Sequence, residues 1–578
     1  MSEMPALQSE YDLIVIGSGG GSMAAALTAK TLGKRAVILE KMDKVGGSTS
    51  FSGGVWWIPN SSLLREAGIE DSYEKSRRYY DSVVTYRGPG VTPARRDAFL
   101  KGAPRMLDFL IGLGLKVRRP QPNWPDYYDE LPGGLREGRS IMPAKFNLKE
   151  LGAWKDRLAL YGPLTHMPMG SDEFPVLFLL KRTMAGKLMA AKYAALMLRD
   201  KITGRQTVSN GAAIQGRMLQ IALREGVELH RSTPVTRFIV EKDRVVGVVV
   251  EQNGREIEVR ARDGVIANVG GFSRNKEMRE RVMGGLPTSN EWTNANPGDT
   301  GEVIQAMMDM GAATDCLDAA WWVVTSRNTD GSWPEGAVWT DGTVVPFMHH
   351  LDLSQPFSIM VDQDGRRIAD EAGAYMEIGE RLYQRQRDTG RAVPAWVIFD
   401  KRHRERYNWG ASQPGVTPKS WLESGYMKKA DTLAALAAAC GIDAAGLEAE
   451  VARYNRFCKT GVDEDYGRGS RAFDNAHGDP TVKPNPNLGA IEQGPFYAVA
   501  IYPGDVGTAG GVVADEYARV LREDGSVIEG LYAVGNSTAS VFGRCYPGAG
   551  ASIGASFTFG YIAAHHSAGS NELSRILS

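Results

Sequence analysis

The sequence predicts an α/β protein built on a Rossmann-like dinucleotide-binding core. Three observations carry that reading. The chain opens on a strand, a glycine turn, a helix and a second strand, "YDLIVIGSGGGSMAAALTAKTLGKRAVILEK". A second glycine-rich loop, in "GRCYPGAGASIGASFTFGY", opens an apolar helix more than 500 residues later. The length of 578 residues is too great for one hydrophobic core, so two or more domains are expected.

In the first unit, the apolar strand Leu13 to Ile16 turns at Gly17-Ser18-Gly19 and enters an alanine-rich helix. Gly17 permits the tight turn, and Gly19 lets the backbone approach a pyrophosphate. The helix start supplies unpaired N–H groups to that anion. Gly20 and Gly21 extend the run and join the candidate contacts. Ser22 stands where the pattern has its third glycine, and it is small enough for close helix packing. The second strand, Ala36 to Leu39, ends at Glu40, about twenty residues past the loop, where a carboxylate accepts from a ribose hydroxyl. Lys41 beside it is a further candidate contact.

Composition excludes other classes. A net charge of −1 leaves no basic excess for phosphate backbones, so no nucleic-acid partner is expected. Cys316, Cys440, Cys458 and Cys545 lack CxxC spacing, which fits a reducing, cytoplasmic setting. The histidines adjoin only as His349-His350 and His565-His566, and adjacent residues do not share a face, so no metal site is expected. "MSEMPALQSEYD" lacks the basic start and apolar core of a signal peptide, and no apolar run reaches membrane-spanning length.

After Glu40 the chain reads "KMDKVGGSTSFSGGVWWIPN". A Gly-Gly-Ser-Thr turn after the acidic residue is typical of FAD proteins rather than NAD dehydrogenases. Here the chain resembles the succinate dehydrogenase/fumarate reductase flavoprotein superfamily, and "GGST…SGGVWWIPN" narrows the resemblance to the 3-ketosteroid dehydrogenases. The resemblance implies FAD along this segment, near Gly47, Ser48, Thr49, Ser52, Gly53 and Gly54. It also implies that later pieces return to the cofactor: Val235 on the adenine side, Ala267 and Gly270 in "DGVIANVGGFSRN", and Gly535-Asn536 at a strand end. Ala551, Ser552 and Ile553 in the last glycine loop complete the set. The FAD domain is then assembled from both chain ends. Residues 1–314 form its first part, with a basic, apolar helical insertion at about 140–205. An α+β substrate domain spans 315–495, and 496–578 return to the FAD domain.

Within the insertion, Asp172 to Arg205 is rich in Leu, Met and Ala and should be helical. It has no acid between Glu173 and Asp200 but carries Lys181, Arg182, Lys187, Lys192, Arg199 and Lys201. Two readings stand: a helical hairpin packed on the body, or a surface at about 172–205 that rests peripherally on a membrane and admits an apolar substrate.

The segments expected around the substrate are aromatic: "GGVWWIPN", "NWPDYYDELPGG", "AAWWVV" and "VVPFMHH". They favour a large apolar ligand over a dicarboxylate, which would need clustered arginines. The 3-ketosteroid Δ1-dehydrogenases carry a segment similar to "RRIADEAGAYMEIG", in which small and acidic residues precede a catalytic tyrosine, and Tyr375 matches it. Tyr127 matches the family's supporting tyrosine, with Tyr128 as the fallback. Tyr546 and Gly550 match the pair that binds the substrate carbonyl. The resemblance thus implies 1,2-dehydrogenation of 3-oxo-4-ene steroids, with electrons passing to an external quinone- or dye-like acceptor.

The roles follow from that reaction. Tyr546 O–H and Gly550 N–H would stabilise the enolate. Tyr375 would take the C2 proton as a phenolate, and the C1 hydride would go to the flavin. The ordinary tyrosine pKa is about 10, so a donor such as Tyr127 would have to stabilise the anion. The alternatives are a Δ4-(5α)-dehydrogenase, a fumarate-reductase-like alkene reductase, and a membrane-attached flavin electron-transfer protein.

Overall fold

The structure is a computed structural model that describes residues 5–160, 168–338 and 342–578. The expected insertion at about 140–205 therefore lies partly, at 161–167, outside the described residues. Strand Glu10–Ile16 is buried on both faces from Leu13 onward, as parallel central strands are. It pairs in parallel with Ala36–Leu39 on one side and with the far half of Arg255–Ala267 on the other. Glu228–His230 extends the first side and Val527–Ala533 the second, again in parallel. Ile16, Leu39, Ala267 and Ala533 therefore end side by side. A segment more than 500 residues from the first strand supplies the last of them. The near half of Arg255–Ala267 continues into an antiparallel meander through Arg244–Gln252 and Val235–Glu241.

The first helix, Gly20–Thr31, crosses the last long helix, Ala551–Ser567, at very short range; only the five-residue Leu573–Leu577 follows it. A Cβ at position 20 would lie 1.8 Å from the Phe557 ring, and one at position 560 would lie 2.3 Å from the Gly21 carbonyl oxygen. Gly20 and Gly21 thus serve helix packing, which the phosphate reading of the glycine run did not foresee.

A second, antiparallel sheet runs in the order Phe347–Met348, Thr325–Ser326, Phe496–Tyr502, Ala395–Phe399 and Ser358–Val361. Phe496–Tyr502 is central to it and also pairs with Met427–Ala430, so the chain returns to the first domain later than the expected 496. Between the sheets, Ala320–Trp322 pairs with Asp505–Thr508 and Thr314–Asp315 with Gly511–Val512. Inside this domain Ser326 Oγ, His349 and Asp352 hydrogen-bond in series at 2.6 and 2.7 Å. That is the order of a nucleophilic triad. Yet Ser326 is buried, also bonds the Tyr426 hydroxyl, and lines neither of the cavities described below, so the array ties strands together.

The basic, apolar segment forms helices Phe174–Phe178 and Met184–Thr203. The longer one is anchored on one face: Tyr193 donates to Glu173, whose other oxygen meets Lys192. The opposite face presents Met184, Leu188, Ala191, Ala195, Leu198 and Ile202 outward at steps of three and four residues. Leu188 is 64% and Ile202 74% exposed.

Candidate active site

Tyr375 begins the helix Tyr375–Thr389. Its ring centroid lies 5.7 Å from that of Tyr127, 5.5 Å from Tyr546 and 5.9 Å from His350. Tyr127 and Tyr546 are 5.8 Å apart, so the three tyrosines expected from distant segments meet as one cluster. Tyr128 turns away, with the Arg471 guanidinium over its ring. The loop carrying Tyr127 is fixed from beneath by Asp126. That carboxylate accepts from Trp57 Nε1 at 2.9 Å and from the fully buried Arg139 guanidinium, which also grips Asp71. Pro547 joins the loops, because its carbonyl accepts from both the Tyr127 N–H and the Tyr79 hydroxyl.

Burial holds the Tyr375 pKa well above the ordinary tyrosine value, and its hydrogen bonds to Tyr127 and Tyr546 raise it further. The expected lowering by Tyr127 is not found. Both contacts favour the neutral form of Tyr375. Tyr546 is raised by burial but eased by Ser552, by Tyr375 and by the N–H groups of Ser552 and Gly550. Its hydroxyl lies 2.9 Å from Ser552 Oγ. Gly550 caps the last helix with φ +81°, so its N–H and the helix's positive end face the Tyr546 hydroxyl. The arrangement gathers the Tyr546 hydroxyl, the Gly550 N–H and the positive end of a helix at one point, a donor set of the kind that stabilises an oxyanion, with the Tyr375 phenol beside it.

The cofactor-type residues gather at the carboxyl ends of the parallel strands. Gly17 N–H bonds the Leu39 carbonyl, and Asn268 N–H bonds that of Ile16. Two glycine turns touch there: a Cβ at position 47 would lie 3.2 Å from the Gly19 Cα. Gly46 N–H donates to Ser18 Oγ, and Gly20 N–H to Thr49 Oγ1. Glu40 is 6% exposed, and its carboxylate accepts from Ser18 Oγ and the Met42 N–H while burial raises its pKa. Thr233 N–H bonds the Glu40 carbonyl, which brings Val235 beside it. This donor set, a bare backbone approach at Gly19 with a carboxylate at the next strand end, fits a pyrophosphate and a ribose, as FAD requires.

Other expected contacts divide. Ser48 Oγ donates to Asp299, a buried carboxyl pushed up to about 7 and not singled out from sequence. Gly270 backs onto that same carboxyl, where a Cβ would lie 2.3 Å from Oδ1. Ala267 is buried at its strand end between Ile16 and Ala533. Ser52 Oγ turns inward to the Thr49 carbonyl, Gly53 O accepts from Ser171, and Gly54 packs on Asn210. Lys41 is not aimed at the cradle; it pairs with Glu302 and Thr300. Ala551 is buried and Ile553 partly so at the start of the last helix.

Two cavities flank the cluster. One is lined by Gly535, Asn536 and Ser552 together with Trp321 and Arg95. Asn536 Oδ1 accepts from Trp321 Nε1 at 3.0 Å, and the Trp321 ring lies 4.9 Å from Tyr546. The other touches Tyr127 and Tyr375 and is closed by Trp124, His350, Phe473 and His477. Sequence reading missed Asp299, Asn268, Arg95 and Phe473, and reached His350 only as the end of the aromatic segment "VVPFMHH". Only Asn268 carried a usable signal, as the polar residue at the end of an apolar strand.

The family model described as FAD binding domain matches residues 12–553. A 3-oxosteroid 1-dehydrogenase of Mycobacterium tuberculosis (strain ATCC 25618 / H37Rv) is 41% identical, covering 96% of this chain and 98% of that one. A 4-oxocyclohexanecarboxylate 2-dehydrogenase of Sinomonas cyclohexanicum is 33% identical, covering 97% and 93%. The crystal structure of 3-ketosteroid delta1-dehydrogenase from Sterolibacterium denitrificans, in complex with 1,4-androstadiene-3,17-dione, superposes with a TM-score of 0.88. It is 35% identical, over 97% of this chain and all of that one.

Proposed function

The chain belongs to the FAD binding domain family, among the 3-ketosteroid Δ1-dehydrogenases, and from that premise we propose that it introduces a C1–C2 double bond into 3-oxo-4-ene steroids. The observation that carries the assignment is the meeting of Tyr127, Tyr375 and Tyr546 at the capped end of the last helix. The chemistry FAD supplies when bound is acceptance of a hydride, here from C1. The residues that would hold it are those of the touching glycine turns, Glu40, and the Gly535–Asn536 and Ser552 walls.

The protein's own groups account for the other half of the reaction. Tyr546 O–H and Gly550 N–H donate to the 3-keto oxygen and stabilise the enolate. That polarisation makes the C2 proton acidic enough for Tyr375 to take. Tyr127 then serves as the partner through which the Tyr375 hydroxyl can rearrange its hydrogen bonds. An external acceptor of quinone or dye type receives the electrons afterwards.

The second cavity argues for a steroid over a small keto-acid. Its lining contains no lysine or arginine, and burial holds His350 and His477 near pKa 4, so both are neutral at pH 7. A carboxylate there would lack a cation. The test is anaerobic mixing of holoenzyme with 4-androstene-3,17-dione or cholest-4-en-3-one while the flavin absorbance is followed. Bleaching with formation of the 1,4-diene is expected. Persistent colour with both steroids would remove the assignment. Conversion of a 5α-saturated ketone to the 4-ene alone would point to the Δ4-(5α) alternative.

The outward stripe on Met184–Thr203 favours the second reading of that segment, a surface that rests on lipid. Six exposed apolar residues along one side, with Lys187, Lys192, Arg199 and Lys201 flanking them, support that reading, although Met197 is exposed on another side. No helix among the described residues is long and apolar enough to cross a membrane. Sedimentation with anionic vesicles is expected to carry the protein down, and L188D/L198D to leave it in the supernatant. Equal sedimentation of both proteins would return the helix to a packing role.

A further inference from the structure

Two residues that line the second cavity each carry a polar atom with no protein partner. His350 Nδ1 and Trp124 Nε1 are buried, and neither hydrogen-bonds to the chain. Burying such a group unpaired is unfavourable, and a phenylalanine or leucine would pack as well without that cost. Both residues line the second cavity, which Tyr375 and Tyr127 also line and Tyr546 does not. Their neighbour His477 donates from Nδ1 to the Phe473 carbonyl at 2.9 Å, which leaves its Nε2 as an acceptor. Trp124 packs edge-on against that ring at 5.4 Å, and His350 packs edge-on against Tyr375. The polar atoms are thus held on rings that are themselves fixed by packing.

We propose that His350 and Trp124 form a subsite for a neutral oxygen substituent, ketone or hydroxyl, at the end of the substrate remote from the reacting ketone. The inference rests on the steroid reading above, and it places the rest of the molecule, beyond the 3-keto oxygen at Tyr546 and C2 at Tyr375, toward this cavity. Trp124 supplies a donor, and neutral His350 supplies a donor or an acceptor according to its tautomer. The two together suit an uncharged oxygen, and they disfavour a carboxylate because no cation faces them. The low pKa of His350, about 4, agrees with that neutrality.

The experiment compares 4-androstene-3,17-dione with 4-androsten-3-one, which lacks the C17 oxygen, using holoenzyme. The wild type is expected to favour the oxygenated steroid in kcat/KM by about tenfold or more, the size of a lost buried hydrogen bond. The preference should fall mainly on KM. His350→Leu and Trp124→Phe are each expected to bring the ratio toward one, and His350→Gln, which keeps a polar atom, to restore part of it. Flavin absorbance and a thermal midpoint confirm that each variant is folded. If His350→Leu alone fails to fold, Trp124→Phe decides the matter by itself. A wild type that treats the two steroids alike, or folded variants that keep its preference, would overturn the subsite. Absence of bleaching with either steroid would instead overturn the steroid reading, and the subsite with it.

Discussion

Tyr375→Phe is expected to lower kcat by about two to four orders of magnitude, the usual contribution of a positioned general base. The flavin should stay bound. The substitution removes one oxygen and leaves a ring of the same shape between Tyr127, Tyr546 and His350, so packing is preserved. The glycine turns that would hold the cofactor are on other segments. The wild-type rate should rise with pH, because burial and two hydrogen bonds favour the neutral phenol and only the phenolate accepts the proton. The Phe variant should lose that rise along with the rate. Stopped-flow reduction of the flavin at several pH values reads both effects. A variant that still reduces its flavin at the wild-type rate would remove Tyr375 as the base. Tyr127→Phe should be milder, since in the proposed mechanism Tyr127 acts on the substrate only through the Tyr375 hydroxyl.

The sequence revealed the parts of the fold that repeat a local rule. Strand, glycine turn, helix and acid occur within thirty residues, so the core unit from Glu10 to Glu40 was legible from spacing alone. The partners of that unit were not. Gly20 and Gly21 look like phosphate contacts in one dimension, but their small size is required by Phe557 and Gly560, more than 500 residues away. Lys41 follows the ribose acid, yet Glu302 captures it across the cradle. The choice between Tyr127 and Tyr128 could not be made by adjacency; in the structure the Arg471 cation holds Tyr128 and Phe473 packs on Tyr127 at 4.4 Å. Phe473 has no motif around it, because what recommends it is a cavity, and a cavity is made only when distant segments close on it.

The oxyanion pair should separate into two different losses. Tyr546→Phe is expected to reduce kcat/KM about 10²- to 10³-fold, the effect of removing one donor to a developing oxyanion. The ring remains packed against Trp321 and Tyr127, so the fold and the flavin should persist. Most of the loss should appear in the reductive half-reaction, since the enolate forms there. Gly550→Ala acts differently. Position 550 has φ +81°, and a Cβ there would lie 1.7 Å from the Val55 carbonyl oxygen, an atom of backbone that cannot rotate aside. Either the start of the last helix or the strand Trp56–Trp57 must shift. The same helix packs on the first helix through Gly20 and Gly560, so the displacement reaches the cofactor cradle. The expected result is loss of flavin together with activity, and a lowered thermal midpoint. A Gly550→Ala protein that binds flavin normally and loses only rate would mean that the helix start can yield locally. Its N–H would then matter as an isolated donor rather than as part of a rigid joint between enolate stabilisation and cofactor binding.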